Sequence, residues 1–493
     1  MTIAKSLLMG ICILAVCGVG AYAGAPDSLW MRAYGDASTQ EIRCITETTD
    51  NGYIFAGSTV IEDIGGGHVE AYVVKLDSDG DTLWTTIFRG AGEARAYAVR
   101  ETPDGGYITA GYYDYLPLAD DRNVCLVKLN SLGGIVWEKT YGGTGYDEAN
   151  DVRVLRGDSG FVVTGYTRSF GAYGSDVYLI RTDSAGDTLF TRHYGSTIDD
   201  KGYSICETTD GYVLCGCSHA ATDYNVYIIK TTSHLDTVWT KTYGGTENDA
   251  GYSIKLTPAD FGFIIGGQTA SFGAGGDDGW AIKTDSNGDT LWTRTVGDSL
   301  YNRFFSVDTT SNGGYVFGGQ YGNVPLEERD FYAAKLAPDG TIEWEARYGT
   351  ADEDVALCIE QTTDDRYIMG GYTKDWDTGN MDAFVIRLGR ENESGVDAQI
   401  ARSEIMVTAS PNPFTGSVEI LFDLDVKTRA QISIYDVGGR MLRRISSGTL
   451  YPGSHSYHWD GKDLNGACAS PGVYFCRLSA GGREVTAKLV LAR

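Results

Sequence analysis

The chain has 493 residues, with 40 Lys and Arg against 66 Asp and Glu and a formal net charge of −26. That length exceeds the roughly 100–200 residues of one domain, and so negative a charge argues against nucleic acid or an anionic lipid surface as partner. Glycine (65) and tyrosine (32) are abundant and proline (10) is scarce, which is typical of many short strands joined by tight turns.

Residues 1–23 have the features of a signal peptide. Lys5 gives a positive start, an apolar run follows at 7–20, and the triplet AYA at 21–23 suits cleavage after Ala23. The run is too short to span a bilayer comfortably, so we expect a mature chain without a transmembrane segment. The lipoprotein alternative would use Cys17, but the bulky Val16 before it fits that pattern poorly.

Three landmarks recur seven times between residues 28 and 389. The first is an aromatic residue after a glycine turn: Tyr53, Tyr107, Phe161, Tyr212, Phe263, Tyr315 and Tyr367. The second is a basic residue in an apolar run: Lys75, Lys128, Arg181, Lys230, Lys283, Lys335 and Arg387. The third is another aromatic residue: Trp30, Trp84, Trp137, Phe190, Trp239, Trp292 and Trp344. Each repeat of roughly 50 residues holds four strand-like runs, the pattern of a β-propeller blade.

The repeat register predicts how the two ends of this region meet. The seventh repeat has three strand-like runs, and LGRENESG follows Arg387 in place of a fourth. The N-terminal stretch SLWMRAYG at 28–35 matches the missing strand. Because an unpaired blade edge invites association with another chain, we predict that this strand completes the last blade. The sequence therefore predicts an all-β chain with a seven-bladed β-propeller over 24–389.

The last ninety or so residues have a different pattern of short motifs. In order they are SPNPFTGSVEILFDL, ISIYDVGGRMLRRI, PGSHSYHWDGKDLNG and SPGVYFCRLSAGGREVTAKLVLAR. Alternating strands such as AQISIYDV predict a small antiparallel Ig-like β-sandwich over 405–493, after a linker at 390–404.

This segment closely resembles the C-terminal sorting domain of the type IX (Por) secretion system and its relative, the flagellar hook-cap Ig-like domain. The resemblance rests on these residues: Asn412, Pro413, Phe414, Gly439, Arg440, Gly472, Val473, Tyr474 and Lys488. It implies a Gram-negative protein that engages the type IX machinery and is secreted or displayed on the outer-membrane surface. The propeller repeats themselves resemble those of secreted bacterial propellers of unassigned activity.

The loops between second and third strands, and between fourth strands and the next first strands, share one face of a propeller. They carry most of the acids, aromatics and glycines, whereas the opposite turns are short. The candidate ligand-binding residues on this loop face are Tyr115, Asp121, Tyr173, Tyr224, Tyr321, Asp375, Trp376 and Asp377. Acids that recur from repeat to repeat, such as Asp147, Asp200, Asp249 and Asp354, are expected to fix loop amides.

No catalytic constellation stands out, so the sequence favours a non-catalytic binding or adhesion module for an extracellular glycan or protein. The alternative is a secreted polysaccharide hydrolase or lyase that uses unpaired loop acids such as Asp121 or Asp375. TDSNGDTLW at 284–292 resembles a sialidase Asp-box and a quinone-dehydrogenase repeat, but the spacings to the tryptophan differ in both cases.

No cofactor is expected. Calcium is left open by the alternating acids at 77–81, but equivalent turns lack them and a solvated hairpin turn explains them better.

Eight cysteines follow the expected cleavage site, and they form no CxxC pair. If Asp210 and Gly211 form a two-residue turn, Cys206 and Cys215 face each other at a non-hydrogen-bonded pair, close enough for a disulfide. Export would permit that bond. Cys468 and Cys476 are the second candidate pair.

Overall fold

The structure is a computed structural model that describes residues 24–35, 38–63, 66–89, 92–114, 122–171, 173–220, 223–323, 328–350, 353–374, 380–391, 407–424, 428–436, 440–450, 453–464, 467–480 and 483–492. They belong to two compact units, whose described parts are 24–391 and 407–492. The predicted signal peptide at 1–23, and all of the predicted linker except 390 and 391, lie outside the described residues.

The first unit is built from short strands, with one 3-10 turn at Arg156–Asp158 as the helical element among its described residues. In chain order the strands are β1 Ser28–Tyr34, β2 Gln40–Glu47, β3 Tyr53–Asp63, β4 Gly66–Leu76, β5 Thr82–Phe88, β6 Ala94–Glu101, β7 Tyr107–Asp114, β8 Arg122–Leu129, β9 Ile135–Tyr141, β10 Asp147–Val154, β11 Phe161–Thr167, β12 Asp176–Thr182, β13 Thr188–Tyr194, β14 Asp200–Glu207, β15 Gly211–Ala220, β16 Asp223–Thr232, β17 Thr237–Tyr243, β18 Asp249–Thr257, β19 Gly262–Thr269, β20 Asp278–Thr284, β21 Thr290–Val296, β22 Tyr301–Thr309, β23 Tyr315–Asn323, β24 Glu328–Leu336, β25 Ile342–Tyr348, β26 Glu353–Gln361, β27 Tyr367–Lys374 and β28 Met381–Leu388.

These strands form seven antiparallel sheets of four strands each. The first to sixth sheets take their strands in chain order, β2 to β5, β6 to β9, β10 to β13, β14 to β17, β18 to β21 and β22 to β25, and the seventh has the order β26-β27-β28-β1. The second strand of each sheet packs against the first strand of the next, and β27 of the seventh sheet packs against β2 of the first. The described residues thus contain seven sheets of one design, and the N-terminal strand lies beside β28.

The aromatic landmarks meet between neighbouring sheets. Trp84 of the first sheet packs on Tyr107 of the second, with ring centroids 5.7 Å apart, and Trp344 of the sixth packs on Tyr367 of the seventh at 5.9 Å. Trp30 of β1 makes the same contact with Tyr53 at 6.2 Å. Aromatic pairs of this geometry add to the stabilisation that area burial alone provides, so the repeat landmarks mark the contacts between sheets.

The basic landmark contacts the turn between the first and second strands of its own sheet in most repeats. Lys75 Nζ lies 2.9 Å from an Asp50 carboxylate oxygen, and Lys128 Nζ lies 2.9 Å from that of Asp104. Burial opposes ionisation, but hydrogen bonds from Thr102 and Lys128 lower the pKa of Asp104 to about 2. The acid therefore stays charged and holds the turn against the sheet.

Each first strand contains a β-bulge at the same place. The extra residue of the bulge has no partner on the second strand. In β2 the pairing passes from Ile42 to Cys44 and skips Arg43, and in β14 it passes from Gly202 to Ser204 and skips Tyr203. The bulge residues of the first to seventh sheets are Arg43, Tyr97, Asn150, Tyr203, Tyr252, Phe305 and Leu357. A bulge bends its strand and redirects a side chain.

A glycine on the second strand makes room for each bulge. A Cβ added at Gly165 would lie 1.8 Å from the Glu148 carbonyl oxygen, and one at Gly319 would lie 1.7 Å from that of Arg303. No side chain fits at that distance. The seven glycines, each opposite the residue before a bulge, are Gly57, Gly111, Gly165, Gly216, Gly267, Gly319 and Gly371.

The second unit consists of two antiparallel sheets around one apolar core. Its strands are β29 Thr408–Ser410, β30 Val418–Leu424, β31 Thr428–Asp436, β32 Met441–Leu450, β33 Gly453–Trp459, β34 Gly472–Ala480 and β35 Arg483–Leu491. The sheet orders are β29-β30-β33 and β32-β31-β34-β35. Trp459 is fully buried in this core and packs on Phe414 and Tyr474, with ring centroids 5.6 and 5.1 Å away.

The predicted register of the Cys206 hairpin is wrong. Glu207 pairs with Tyr212, Cys206 with Val213, and Ser204 with Cys215. Four residues, 208–211, lie between the paired Glu207 and Tyr212, and a 2.8 Å hydrogen bond from the Thr208 N–H to the Gly211 carbonyl closes this turn. Lys230 binds the side chains of Thr208 and Asp210. This contact from the third strand sets the turn, and local turn rules do not include it. The described cysteines, Cys468 and Cys476 included, are free thiols.

Candidate ligand-binding site

The first strands of all seven sheets line one cavity. Its volume is about 630 Å³, and every one of the seven bulge residues is in its wall. Ligand sites in proteins commonly have volumes of about 300–1,000 Å³. The bulges therefore bring one side chain from each sheet to a common space of ligand size.

Four of the bulge residues form an aromatic level, which we define as Tyr97, Tyr203, Tyr252 and Phe305. The ring of Tyr252 lies 5.2 Å from that of Tyr203 and 5.4 Å from that of Phe305, so three consecutive sheets present adjoining rings. Burial raises the pKa of Tyr203 and of Tyr252. Their hydroxyls stay protonated at neutral pH and act as hydrogen-bond donors.

A charged level lies two positions before the bulge residues of the first strands. Its members in the cavity wall are Glu41, Glu148, Lys201 and Arg303, and Arg43 and Arg329 line the cavity as well. Basic side chains therefore outnumber carboxylates by four to two in the wall, although the whole chain carries a net charge of −26.

Both carboxylates of the charged level are already bound by basic side chains. Glu41 accepts hydrogen bonds from Ser58 (2.9 Å), Arg43 (2.9 Å) and Arg95 (2.7 Å). Glu148 forms an ion pair with Arg122. Neither carboxylate is therefore free to act as the acid or base that sugar hydrolysis requires.

The cations of the wall differ in their partners. Arg303 Nε donates to Asp277 at 2.8 Å, and Arg329 lies 3.0 Å from Glu353. Lys201 has no carboxylate within 4.0 Å among the described residues, and its ammonium lies 4.8 Å from the ring centroid of Tyr166. Lys201 therefore forms a cation–π contact but no direct ion pair among the described residues.

Three of the eight loop candidates lie among the described residues, and none of these three lines the cavity. Tyr173 is 91% exposed before β12, and Tyr224 on β16 packs edge-on against His219 with centroids 4.7 Å apart. Tyr321 is only 8% exposed, and its hydroxyl donates to Asp298 at 2.5 Å, so burial removes it from any ligand surface. The three lie in three different sheets. Tyr115, Asp121, Asp375, Trp376 and Asp377 lie outside the described residues.

The recurring acids are buried and bind loop amides, as the sequence indicated. Asp147 accepts a 2.8 Å bond from the Gly143 N–H, Asp249 a 2.9 Å bond from Gly245, and Asp354 a 2.5 Å bond from Thr350. These three carboxylates are inaccessible to solvent. Their role in the described structure is to fix the loop before each first strand.

A second cavity of about 580 Å³ lies at the outer strands of the fourth and fifth sheets. Tyr243, Phe272, Trp280 and Arg294 line it, and the rings of Phe272 and Trp280 are 5.5 Å apart. Unlike the first cavity, it receives residues from only two sheets.

The sorting-motif residues are integral to the second unit. The Asn412 amide donates to the Lys488 carbonyl at 2.7 Å and its oxygen accepts from the Val490 N–H at 2.8 Å. Phe414 and Tyr474 flank Trp459 in the core. Pro413 follows in the same segment, Val473 is half-buried, and Gly472, Arg440 and Lys488 are exposed. Gly439 lies outside the described residues.

The described residues contain no group of three or more side chains that could hold a metal ion. They also contain no helix long and apolar enough to cross a membrane.

Sequence reasoning missed the cavity residues, although a signal was present. A glycine follows the first aromatic landmark by four positions in every repeat, from Gly57 to Gly371. A glycine recurring inside a strand indicates a bulge or a close backbone approach, and the residue facing that bulge lines the cavity.

Comparison with known proteins gives one family match. Residues 409–483 match the FlgD Ig-like domain, and no curated protein matches the chain significantly. PorZ, an essential bacterial surface component of the type IX secretion system of Porphyromonas gingivalis, is a similar solved structure at 13% identity, with 96% of this chain and 75% of that chain covered and a TM-score of 0.36.

Two further solved structures are similar at the same low level. Sqt1 from Chaetomium thermophilum has 14% identity, covers 96% of this chain and 100% of its own, and gives a TM-score of 0.43. The acylaminoacyl peptidase of Pyrococcus horikoshii has 10% identity, covers 79% and 58%, and gives 0.41. Likenesses of this strength assign no function.

Proposed function

We propose that this chain is a secreted, non-catalytic ligand-binding protein whose first unit is a seven-bladed β-propeller closed by β1, with the ligand site in the cavity among the first strands. The observation that carries the proposal is that all seven first strands bend at a bulge and direct one side chain each into that space. A site that needed only one side chain would not require a bulge in all seven first strands.

The strand arrangement supports the propeller. Each sheet has four strands, and the packing of second strand on next first strand continues from β27 to β2. β1 supplies the outer strand that the last repeat lacks, paired from Ser28 with Leu388 to Tyr34 with Ala383. Such radial repetition leaves only short edges exposed.

Binding is favoured over sugar hydrolysis by the state of the carboxylates in the cavity. Glu41 and Glu148 are held by arginines, whereas glycosidases need one free acid and one free base or nucleophile. The polysaccharide-active alternative would depend on loop acids such as Asp121 and Asp375, which lie outside the described residues.

The full mature chain would be screened against a panel of polysaccharides and host glycans. Tyr252→Leu tests the cavity, and the pair Trp376→Ala with Asp377→Asn tests the loop face. A pair in the opposite turns, Asp187→Asn with Asp289→Asn, is the control. The proposal expects at least a tenfold loss of affinity for the first variant alone, among variants whose thermal melts match the parent. Loss only in the second variant would move the site to the loops.

Export is proposed to depend on residues 405–493. The match to the FlgD Ig-like domain and the order of the terminal motifs support a sorting role with the type IX machinery as partner. In a bacterium that has this system, the full chain should reach the cell surface or the medium. A chain lacking 405–493 should stay in the periplasm, and a reporter protein carrying that segment should be exported. Surface delivery of the truncated chain would contradict the proposal.

A further inference from the structure

The wall of the cavity has the opposite charge balance to the rest of the molecule. Arg43, Lys201, Arg303 and Arg329 line it with two carboxylates, in a chain whose net charge is −26. Acidic residues on the outer surface keep a protein soluble, but solubility does not explain a local excess of basic side chains inside a cavity. Local charge of one sign in a cleft concentrates ligands of the opposite sign.

The two carboxylates do not neutralise the cations for a ligand. Glu41 already accepts from a serine and two arginines, and Glu148 is paired with Arg122 outside the set of lining residues. Lys201 has no carboxylate partner among the described residues. Arg303 and Arg329 are paired with Asp277 and Glu353. Lys201 is thus the lining cation that keeps its full capacity for an anion.

The spacing between the charged and aromatic side chains along the first strands indicates what kind of anion would fit. Lys201 lies two positions before Tyr203, and Arg303 two positions before Phe305, and all four line the cavity. A ligand that contacts both levels therefore carries its negative group beside a ring or other flat, partly apolar face. Aromatic rings stack on sugar rings. The Tyr252 hydroxyl already donates to the Gln268 side chain at 3.0 Å, so it meets a sugar hydroxyl as an acceptor.

We propose that the cavity binds a carboxylate-bearing sugar, with its carboxylate at the charged level beside Lys201 and Arg303 and its ring against Tyr203, Tyr252 and Phe305. This inference rests on the proposed function and names the ligand class of the same site. A flexible acidic peptide would satisfy the charge but would leave the three adjoining rings without a planar partner, so the geometry favours the sugar.

Calorimetric titration of the full mature chain tests this with galacturonate oligosaccharides, the matching neutral galactose oligosaccharides and a glutamate-rich peptide as probes. The acidic sugar is expected to bind at least tenfold more tightly than the neutral one. Lys201→Met breaks no ion pair in the described structure, and it should weaken binding of the acidic sugar at least tenfold while leaving neutral-sugar binding unchanged. Lys241→Met, on the outer strand of the same sheet, is the control and should change neither.

The outcomes separate the two proposals. The carboxylate inference would be overturned if the neutral sugar bound more tightly, or if Lys201→Met bound galacturonate as well as the parent does. In either case, loss of binding in Tyr252→Leu would still keep the cavity as the site. Binding of the peptide without the acidic sugar would overturn it in favour of a protein ligand. Absence of galacturonate binding would overturn the carboxylate inference as well. If any probe bound and neither cavity variant changed its affinity, the cavity would not be the binding site.

Discussion

The Tyr348 hydroxyl donates a 2.8 Å hydrogen bond to the carbonyl of Pro26, although 322 positions separate the two residues. Tyr34 makes the corresponding bond to Gly80 at 2.7 Å, and Tyr141 to Gly186 at 2.6 Å. In those two cases the acceptor lies in the turn before the fourth strand of the next sheet. Pro26 precedes β1, so the N-terminal strand receives the same contact as the fourth strands β5, β13, β17 and β21.

Removal of the N-terminal strand is therefore expected to destabilise the first unit. Deleting residues 24–36 removes the pairing of β1 with β28, the packing of Trp30 on Tyr53 and the acceptor for Tyr348. The melting temperature of the deletion variant should fall by more than 10 °C, since each kcal/mol shifts the transition of a large domain by about 2–4 °C.

A milder change at the same junction gives an internal control. Tyr348→Phe removes one buried hydrogen bond and should cost about 1–2 kcal/mol. Tyr141→Phe removes the equivalent bond within the repeat series, and the two costs should agree within about 0.5 kcal/mol. A deletion variant that melts like the parent would contradict the role of β1.

The glycines opposite the bulges should not tolerate a side chain. In Gly165→Ala the new Cβ would meet the Glu148 carbonyl oxygen at 1.8 Å, so the bulge that carries Asn150 must shift. We expect a loss of about 3 kcal/mol in the free energy of unfolding, measured by urea denaturation. Gly416→Ala is the control, because no heavy atom lies within 4 Å of its added Cβ, and it should change stability by less than about 0.5 kcal/mol.

The sequence predicted the strands and the repeat, but its one signal for the cavity, the glycine that recurs inside each second strand, marks the bulge residue only indirectly. Alternation and the landmark aromatics follow from one-dimensional periodicity, and the contacts of Trp84 with Tyr107 explain why they recur. The extra residue at each bulge is invisible to a period-two pattern, so Tyr203 and Tyr252 were not distinguished from ordinary strand residues. The loop candidates were chosen for composition, and Tyr321 shows why that is insufficient: it lies in the loop region of the sequence and is buried in the sheet.

Thiol labelling separates exposed from buried cysteines and tests the disulfide candidates. Burial raises the pKa of Cys206 to about 11 and that of Cys476 to about 12, whereas Cys468 is exposed. Iodoacetamide at pH 8 should modify Cys468 in the native protein well before the other two, because the thiolate is the reactive form.

Labelling of the unfolded protein tests whether any of these cysteines is oxidised. In denaturant without reductant, every cysteine of the described part should become reactive, since all are free thiols there. Failure of Cys206 and Cys215 alone to react in secreted material would show that export oxidises them to a disulfide despite the register observed.

Asp354 predicts a pH dependence of stability with a defined sign. Burial, together with the nearby Asp330 carboxylate, raises the pKa of this carboxyl to about 7, and its Oδ1 has no hydrogen-bond partner among the described residues. The unfolded chain has the ordinary pKa of 3.8. The contribution of protonated Asp354 to the free energy of unfolding is thus fully present below about pH 4. This contribution falls as the pH rises to about 7, and above that pH it does not change further. The full penalty is on the order of 4 kcal/mol.

Asp354→Asn should remove that penalty, because an amide keeps the oxygen that accepts from the Thr350 N–H and cannot ionise. Asn302 already occupies the equivalent position at the start of β22, so the site accommodates the side chain. The melting temperature of the variant should exceed that of the parent at pH 8, with a smaller difference at pH 5. Asp79→Asn, in an exposed turn, removes the same charge without the burial and should show no such dependence. A variant that is less stable than the parent at pH 8 would mean that the ionised carboxylate is paired in solution and that burial does not control its titration.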